Sequence, residues 1–207
     1  MRKIVKRNDS NVIKDSLIYN CKNGANNSVL GSILLKEQKS FCAYSEEFID
    51  PVSDSNDIEH FNPDLKCNPG DSYNNWFKTK NKINFNKRLK ELEFKKKGIP
   101  FNDVLHPCEI DFESQLQYIN GEYRFKESTD NIKVTNLINL LELNLPEKIE
   151  RRKLYIERKR KELENFGLPI EDFFELLISD DISGIKYLRC IQEEFNINIW
   201  EMIPEIN

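Results

Sequence analysis

The chain has 207 residues, a formal net charge of −4, 32% charged and 39% hydrophobic side chains. That length buries a real core in one domain or two small ones, and the composition is that of a soluble globular protein. The charge announces no nucleic-acid binder, the 7 glycines disfavour a glycine-loop nucleotide fold, and no apolar run approaches the roughly 20 residues that cross a bilayer.

Residues 1–28 are polar and predict a loosely ordered arm with one short helix. The basic start, Met1 to Arg7, has no apolar stretch behind it and so does not read as a signal peptide. Val29, Leu30, Ile33, Leu34 and Leu35 have helical spacing, and Phe41 to Ile49 reads as a short hairpin or knuckle. Pro51 with its Ser and Asp neighbours marks a loop. Asp57 to Phe61 then alternates as a strand, with Ile58 and His60 on one face and Glu59 and Phe61 on the other. A second loop holds Pro63, Pro69 and Gly70. Asn75 to Lys78 predicts a second strand, and Ile83 to Lys96 a helix ending at Gly98 and Pro100.

The remainder reads as mostly helical. Ser114 to Ile119 is a short piece, and Ile132, Leu137, Leu140 and Leu141 form a stripe. A charged helix runs from Pro146 to Phe166 before Gly167 and Pro169. Ile170 to Ile178 and Ile182 to Phe195 read as two amphipathic helices. The expected fold class is α+β, a small strand-strand-helix centre embedded in a mostly helical body. Residues 1–39 form an N-terminal arm and helix, 40–97 the centre, and 98–207 a helical C-terminal region for partner docking. Phe173, Phe174, Leu177, Ile197, Trp200 and Met202 are the candidate docking surface, with an ordinary core as the alternative.

The five cysteines are Cys21, Cys42, Cys67, Cys108 and Cys190, an odd number with no closely spaced pair. Free thiols in a reducing cytoplasm are the simplest reading.

Chemistry concentrates between Asp57 and Lys87. Phosphodiester cleavage needs an activated water, an electrophilic metal and positive charge around the phosphate. A neutral imidazole can take the water's proton, which suits His60. A hard cation prefers oxygen ligands, which Glu59 and Asn84 can supply. Asn75 can hold the loop and the imidazole by hydrogen bonding. Lys87 lies one helical turn after Asn84 and could share its phosphate. From Asn74 to Lys97 the nine cations, Lys82, Lys87 and Arg88 among them, outnumber Glu91 and Glu93, a local +7. Such a run is a phosphate-tracking surface or simply a solvated helix face. His106, the second of two histidines, reads as a structural residue before Pro107, with a second base as the alternative.

Order and spacing give this segment a family likeness. Glu59-His60, then Asn75, then Asn84 nine residues on, followed by x-x-Lys87, resembles an HNH, or ββα-metal, nuclease. The flanks Leu34-Leu35-Lys36-Glu37-Gln38, Phe41-Cys42-Ala43-Tyr44-Ser45-Glu46, Ile58-Glu59-His60-Phe61-x-Pro63 and Asn75-Trp76-Phe77 are similar to the HNH subunits of Septu-type anti-phage systems. Weaker likeness continues through His106-Pro107, Gly121 and Thr135 to Arg151.

The resemblance implies an endonuclease cutting DNA, with Glu59 and Asn84 as metal ligands, His60 as general base and Mg²⁺ or Mn²⁺ as cofactor. It also implies an ABC/SMC-like ATPase partner and a cytoplasmic setting without membrane. Some such pairs are retron effectors, which adds a reverse transcriptase with its single-stranded DNA as a partner. RNA such as tRNA as substrate, or a non-catalytic nucleic-acid-binding subunit, are the alternatives. Relatives carry two Cys-x-x-Cys knuckles. Here Cys42-Ala43-Tyr44-Ser45 and Lys80-Asn81-Lys82-Ile83 keep one cysteine of four. No structural zinc is expected, with Tyr44 and Ile83 packing in its place.

Overall fold

In the computed structural model, which describes residues 1–125 and 131–205, the polar opening segment folds back onto the body. The loose arm expected there is corrected: Met1 and Ile4 are buried in the main core, and the Ile4 N–H donates to the Pro107 carbonyl at 2.8 Å. Ser10 accepts from the Val12 N–H and starts α1 (Asn11–Lys14), which buries Val12. A few apolar anchors outweigh the polar composition of this stretch.

Helix α2 (Ser28–Glu37) presses Leu30 and Leu34 against Trp76 and Ile58, forming a second, smaller core. Strands β1 (Asn56–His60) and β2 (Trp76–Lys80) pair antiparallel, with His60 opposite Trp76 and Glu59 opposite Phe77. Helix α3 (Asn81–Lys97) follows β2 directly. It ends at Gly98, whose φ of +67° is open to glycine without strain.

Helix α4 (Phe112–Gln115) leads into a hairpin of β3 (Leu116–Ile119) and β4 (Glu122–Phe125). This corrects the helical reading of Ser114 to Ile119. Asn120 and Gly121 turn the chain at φ +46° and +86°, the pair of positive angles that a tight hairpin requires. The body is completed by α5 (Ile132–Leu140), α6 (Pro146–Phe166), α7 (Ile170–Asp181), α8 (Leu188–Phe195) and α9 (Ile199–Met202). The single helix expected over Ile182 to Phe195 is broken. A bridge between Glu47 and Lys186, and Tyr187 at φ +55°, interrupt it.

The architecture is therefore α+β, two small two-stranded sheets among helices. The principal core takes Met1 and Ile4, then Phe41, Phe61, Phe77 and Phe94, then residues onward to Ile203, so the three expected segments share one interior. Parts of the segment 98–207 lie outside the described residues. The expected docking set belongs to this interior: Phe173, Phe174 and Ile197 are buried, and Leu177, Trp200 and Met202 pack against them. Cys21 and Cys67 are joined in a disulfide, Cα to Cα 5.9 Å, which corrects the reading of five free thiols. Among the described residues no helix is long and apolar enough to cross a membrane.

Candidate active site

Strand geometry divides the candidate residues before any contact is considered. Successive side chains of β1 leave opposite faces, so Glu59 and His60 are adjacent in sequence but do not share a pocket. Asp57 and Glu59 face α3, and His60 faces the long connection between the two strands.

That connection is held by Asn75. Its side-chain oxygen accepts from the Asn62 N–H at 2.8 Å, and its amide donates to the Asn62 carbonyl at 3.1 Å and to Asp71 Oδ1 at 3.0 Å. Asp71 is the hub of this face. Its Oδ1 also accepts the Trp76 indole N–H at 2.7 Å, and its Oδ2 accepts the Cys67 N–H at 3.2 Å and lies 3.1 Å from His60 Nε2. The approach to Nε2 is off the N–H axis, so the imidazole has a charged neighbour without an aligned hydrogen bond. Tyr19 packs edge-on against the imidazole, ring centres 4.5 Å apart. Burial pushes the His60 pKa down to about 4 and the Asp71 charge opposes it, so the ring is neutral at pH 7 and, while buried, a weaker base than a free imidazole.

On the other face, Glu59 is 3% exposed. One of its oxygens accepts the Tyr44 hydroxyl and the other lies 2.6 Å from Lys87 Nζ. Burial raises its pKa, and the Lys87 charge works against that rise. Lys87 is itself sealed at 1% exposure; it also pairs with Glu91 and donates to the Phe61 carbonyl at 2.9 Å. Every donor of this ammonium is turned inward, so the structure does not bring it to the groove where a phosphate would lie. Asn84, one turn earlier, donates its amide to Asp57 Oδ2 at 3.0 Å.

Asp57 opens on a groove of about 560 Å³ that Tyr19, Lys66, Lys78, Arg88 and the first turn of α2 also line. Among the described residues Lys66, Lys78 and Arg88 have no ion-pair partner. The N-terminus of α2 lacks a side-chain cap, because the Asn27 amide is turned onto Asn20. A 3-10 turn (Gly24–Asn27) runs directly into α2 and its Ala25 carbonyl takes the Ser28 N–H, so it is the three cations that make this groove suited to anions. Of the three basic residues singled out in the sequence, Arg88 lines this groove, Lys87 is buried, and Lys82 lines a different cavity.

Asp57 and Asp71 carry no assignment in the sequence reading. The i, i+2 spacing of Asp57 and Glu59 on one strand face could have marked the first. Nothing local marks Asp71, whose role depends on how the connection closes.

The residues fit a hard cation that keeps most of its water only in part: Asp57 offers a carboxylate, while Asn84 turns its amide N–H, not its oxygen, to that carboxylate, so its oxygen becomes a ligand only if the amide turns over. They do not form a closed cage; among the described residues there is no group of three or more His, Cys, Asp or Glu. Glu59, the ligand expected beside Asn84, is engaged by Lys87 and Tyr44 instead. Tyr44 is buried and Ile83 packs on the core where the knuckle positions fall. His106 packs edge-on against Phe61, ring centres 4.7 Å apart, and its Nδ1 accepts the Cys108 N–H at 3.1 Å, a structural role. No family model matches the chain, and no curated protein matches it significantly.

Proposed function

We propose that the chain is a metal-dependent endonuclease of HNH type that hydrolyses phosphodiester bonds of DNA. The observation that carries the reading is Asp57 on the wall of a cationic groove, with the buried Asn84 amide behind it, on a strand-strand-helix unit whose first strand also holds His60. Asp57 and Asn84 would hold Mg²⁺ or Mn²⁺, which supplies Lewis-acid stabilisation of charge on the phosphate. Lys66, Lys78 and Arg88 bind the nucleic-acid backbone. His60 is the proposed base for the attacking water; it leaves the opposite face of β1 from Asp57 and is buried beside Asp71, so the reading requires the connection that covers it to open towards the metal. Tyr19 covers the imidazole, so proton transfer requires that ring to move.

A role in anti-phage defence under an ABC/SMC-like ATPase, alone or with a retron reverse transcriptase and its single-stranded DNA, rests on the family likeness alone. So does a cytoplasmic location, and the Cys21–Cys67 bond argues against a reducing compartment. A backbone-reading groove accepts RNA as well. A second reading, a non-catalytic nucleic-acid-binding subunit, is favoured by one observation: Glu59 is locked to Lys87 and Tyr44.

The test is cleavage of plasmid DNA and of total RNA by the purified chain, alone and with its ATPase partner, in Mn²⁺ or EDTA. Metal-dependent cleavage lost in His60→Ala and Asp57→Asn supports the nuclease. Cleavage that survives His60→Ala removes the proposed base, and retention of either substrate without any cleavage favours the binding subunit.

A further inference from the structure

A second cavity, of about 270 Å³, lies away from this groove. Its wall joins the turn holding Tyr44 and Ser45, the first turn of α3, the N-terminal half of α6, and Tyr187 ahead of α8. Four cations line it: Lys82, Lys148, Arg151 and Arg152, against only two acids, Glu47 and Glu147. Among the described residues none of the four has an ion-pair partner. Arg152 is 4% exposed, and its guanidinium donates to the Gly121 and Leu143 carbonyls, both at 2.7 Å. Those bonds use two of its five N–H groups, and the cation lies over the Tyr123 ring, 5.0 Å to the centroid, but no carboxylate pairs with it. A buried cation without a counter-charge is costly, and a bound anion removes that cost.

Two further observations point into the same space. The Ser45 hydroxyl is buried with no hydrogen-bond partner, a rare condition for a native interior. Tyr187 is held at φ +55°, a conformation that bulky residues avoid and that clusters at binding sites. With Tyr44 and Tyr123 it supplies aromatic surface to the cavity.

We infer that this cavity binds an organic phosphate bearing a flat ring: a nucleoside monophosphate unit, its phosphate held by Lys148, Arg151 and Arg152 and its ring against the tyrosines. The volume, just below the roughly 300 Å³ at which ligand sites begin, limits the occupant to one such unit. The unit is either a free mononucleotide or the 5′-phosphorylated end of a strand. The Tyr44 hydroxyl donates to Glu59, so an occupied cavity is one side chain from β1. The inference stands on the cavity and does not require the nuclease reading.

Calorimetric titration of the full chain tests it, using adenosine 5′-monophosphate, adenosine, inorganic phosphate, and a trinucleotide with and without a 5′-phosphate. Saturable binding of the monophosphate at one per chain is expected, about tenfold or more tighter than adenosine or phosphate alone. If strand ends are the source, the 5′-phosphorylated trinucleotide saturates instead and its dephosphorylated form does not. Arg151→Ser removes an exposed cation, and Lys148→Met adds to it at the cost of one bond to the Leu141 carbonyl; together they weaken binding about tenfold or more in a protein whose melting temperature is checked alongside. Absence of saturation by every phosphate probe, or an affinity that the double substitution leaves unchanged, overturns the inference. Arg152→Met is the less useful variant, because loss of its two carbonyl bonds threatens the fold itself.

Discussion

Lys87 and Glu59 form a sealed ion pair, Nζ to Oε1 2.6 Å, between α3 and β1. Both are nearly without solvent contact, and the same ammonium reaches Glu91 and two backbone carbonyls. Removing one partner of such a pair leaves a buried charge uncompensated, at a cost of about 3–5 kcal/mol. Lys87→Met is therefore expected to lower unfolding free energy by that amount in urea. Its effect on nucleic-acid affinity per folded molecule should be slight. Arg88→Ser should do the reverse, leaving stability within about 0.5 kcal/mol and reducing the salt dependence of DNA binding by about one phosphate contact. A Lys87→Met protein of normal stability and weakened binding would place the lysine on the phosphate after all.

His60 gives a pH signature. Its folded pKa, about 4, lies below the unfolded value near 6.5. The unfolded chain thus binds the proton first, and stability falls as pH drops from 6.5 towards 4 and levels off below. Tyr19→Ala admits water to the ring and should raise the His60 pKa towards 6.5, since burial is the main cause of its depression. Asp71→Asn should lower it further, because the carboxylate opposes that depression. Proton NMR of the imidazole reads both, and equal shifts of the same sign would dismiss the assignment of causes.

Helix α6 was legible at both ends because its boundary chemistry is local: Pro146 fits the first turn and Gly167 takes the left-handed φ of +64°. The hairpin of β3 and β4 was not read, although Asn120-Gly121 is a hairpin signal, because Leu116 and Ile119 also fit a helical face. The spacing puts Lys87 on α3 one turn from Asn84. Its charge could not say that this face points inward. Asp71 sits 11 residues along the chain from His60 and meets it only when Asn75 closes the connection. No local pattern carries that information.

The disulfide ties the segment after Tyr19 to the connection that holds Asp71. It spans 46 residues, and closing a loop of that size stabilises the fold by about 2–4 kcal/mol. Cys21→Ser with Cys67→Ser, or dithiothreitol on the wild type, is expected to lower Tm by about 5–15 °C. The imidazole should also become more exposed, moving its pKa upward. Scanning calorimetry under oxidising and reducing conditions measures the first effect. Identical melting in both would mean that the bond contributes nothing to the folded state.

The metal dependence should follow Asp57 and not Glu59. Asp57→Asn keeps an oxygen able to accept from the Asn84 amide, so the pair and the fold survive while the carboxylate charge is lost. Mn²⁺ binding followed by electron paramagnetic resonance should weaken about tenfold or more, since hard cations draw much of their affinity from anionic oxygen. Glu59→Gln loses the Lys87 ion pair, so its main effect should be on stability, with Mn²⁺ affinity within about threefold of wild type. If Glu59→Gln instead abolishes Mn²⁺ binding and Asp57→Asn does not, then Lys87 must release Glu59 when metal enters. The buried pair would in that case be a latch on the site.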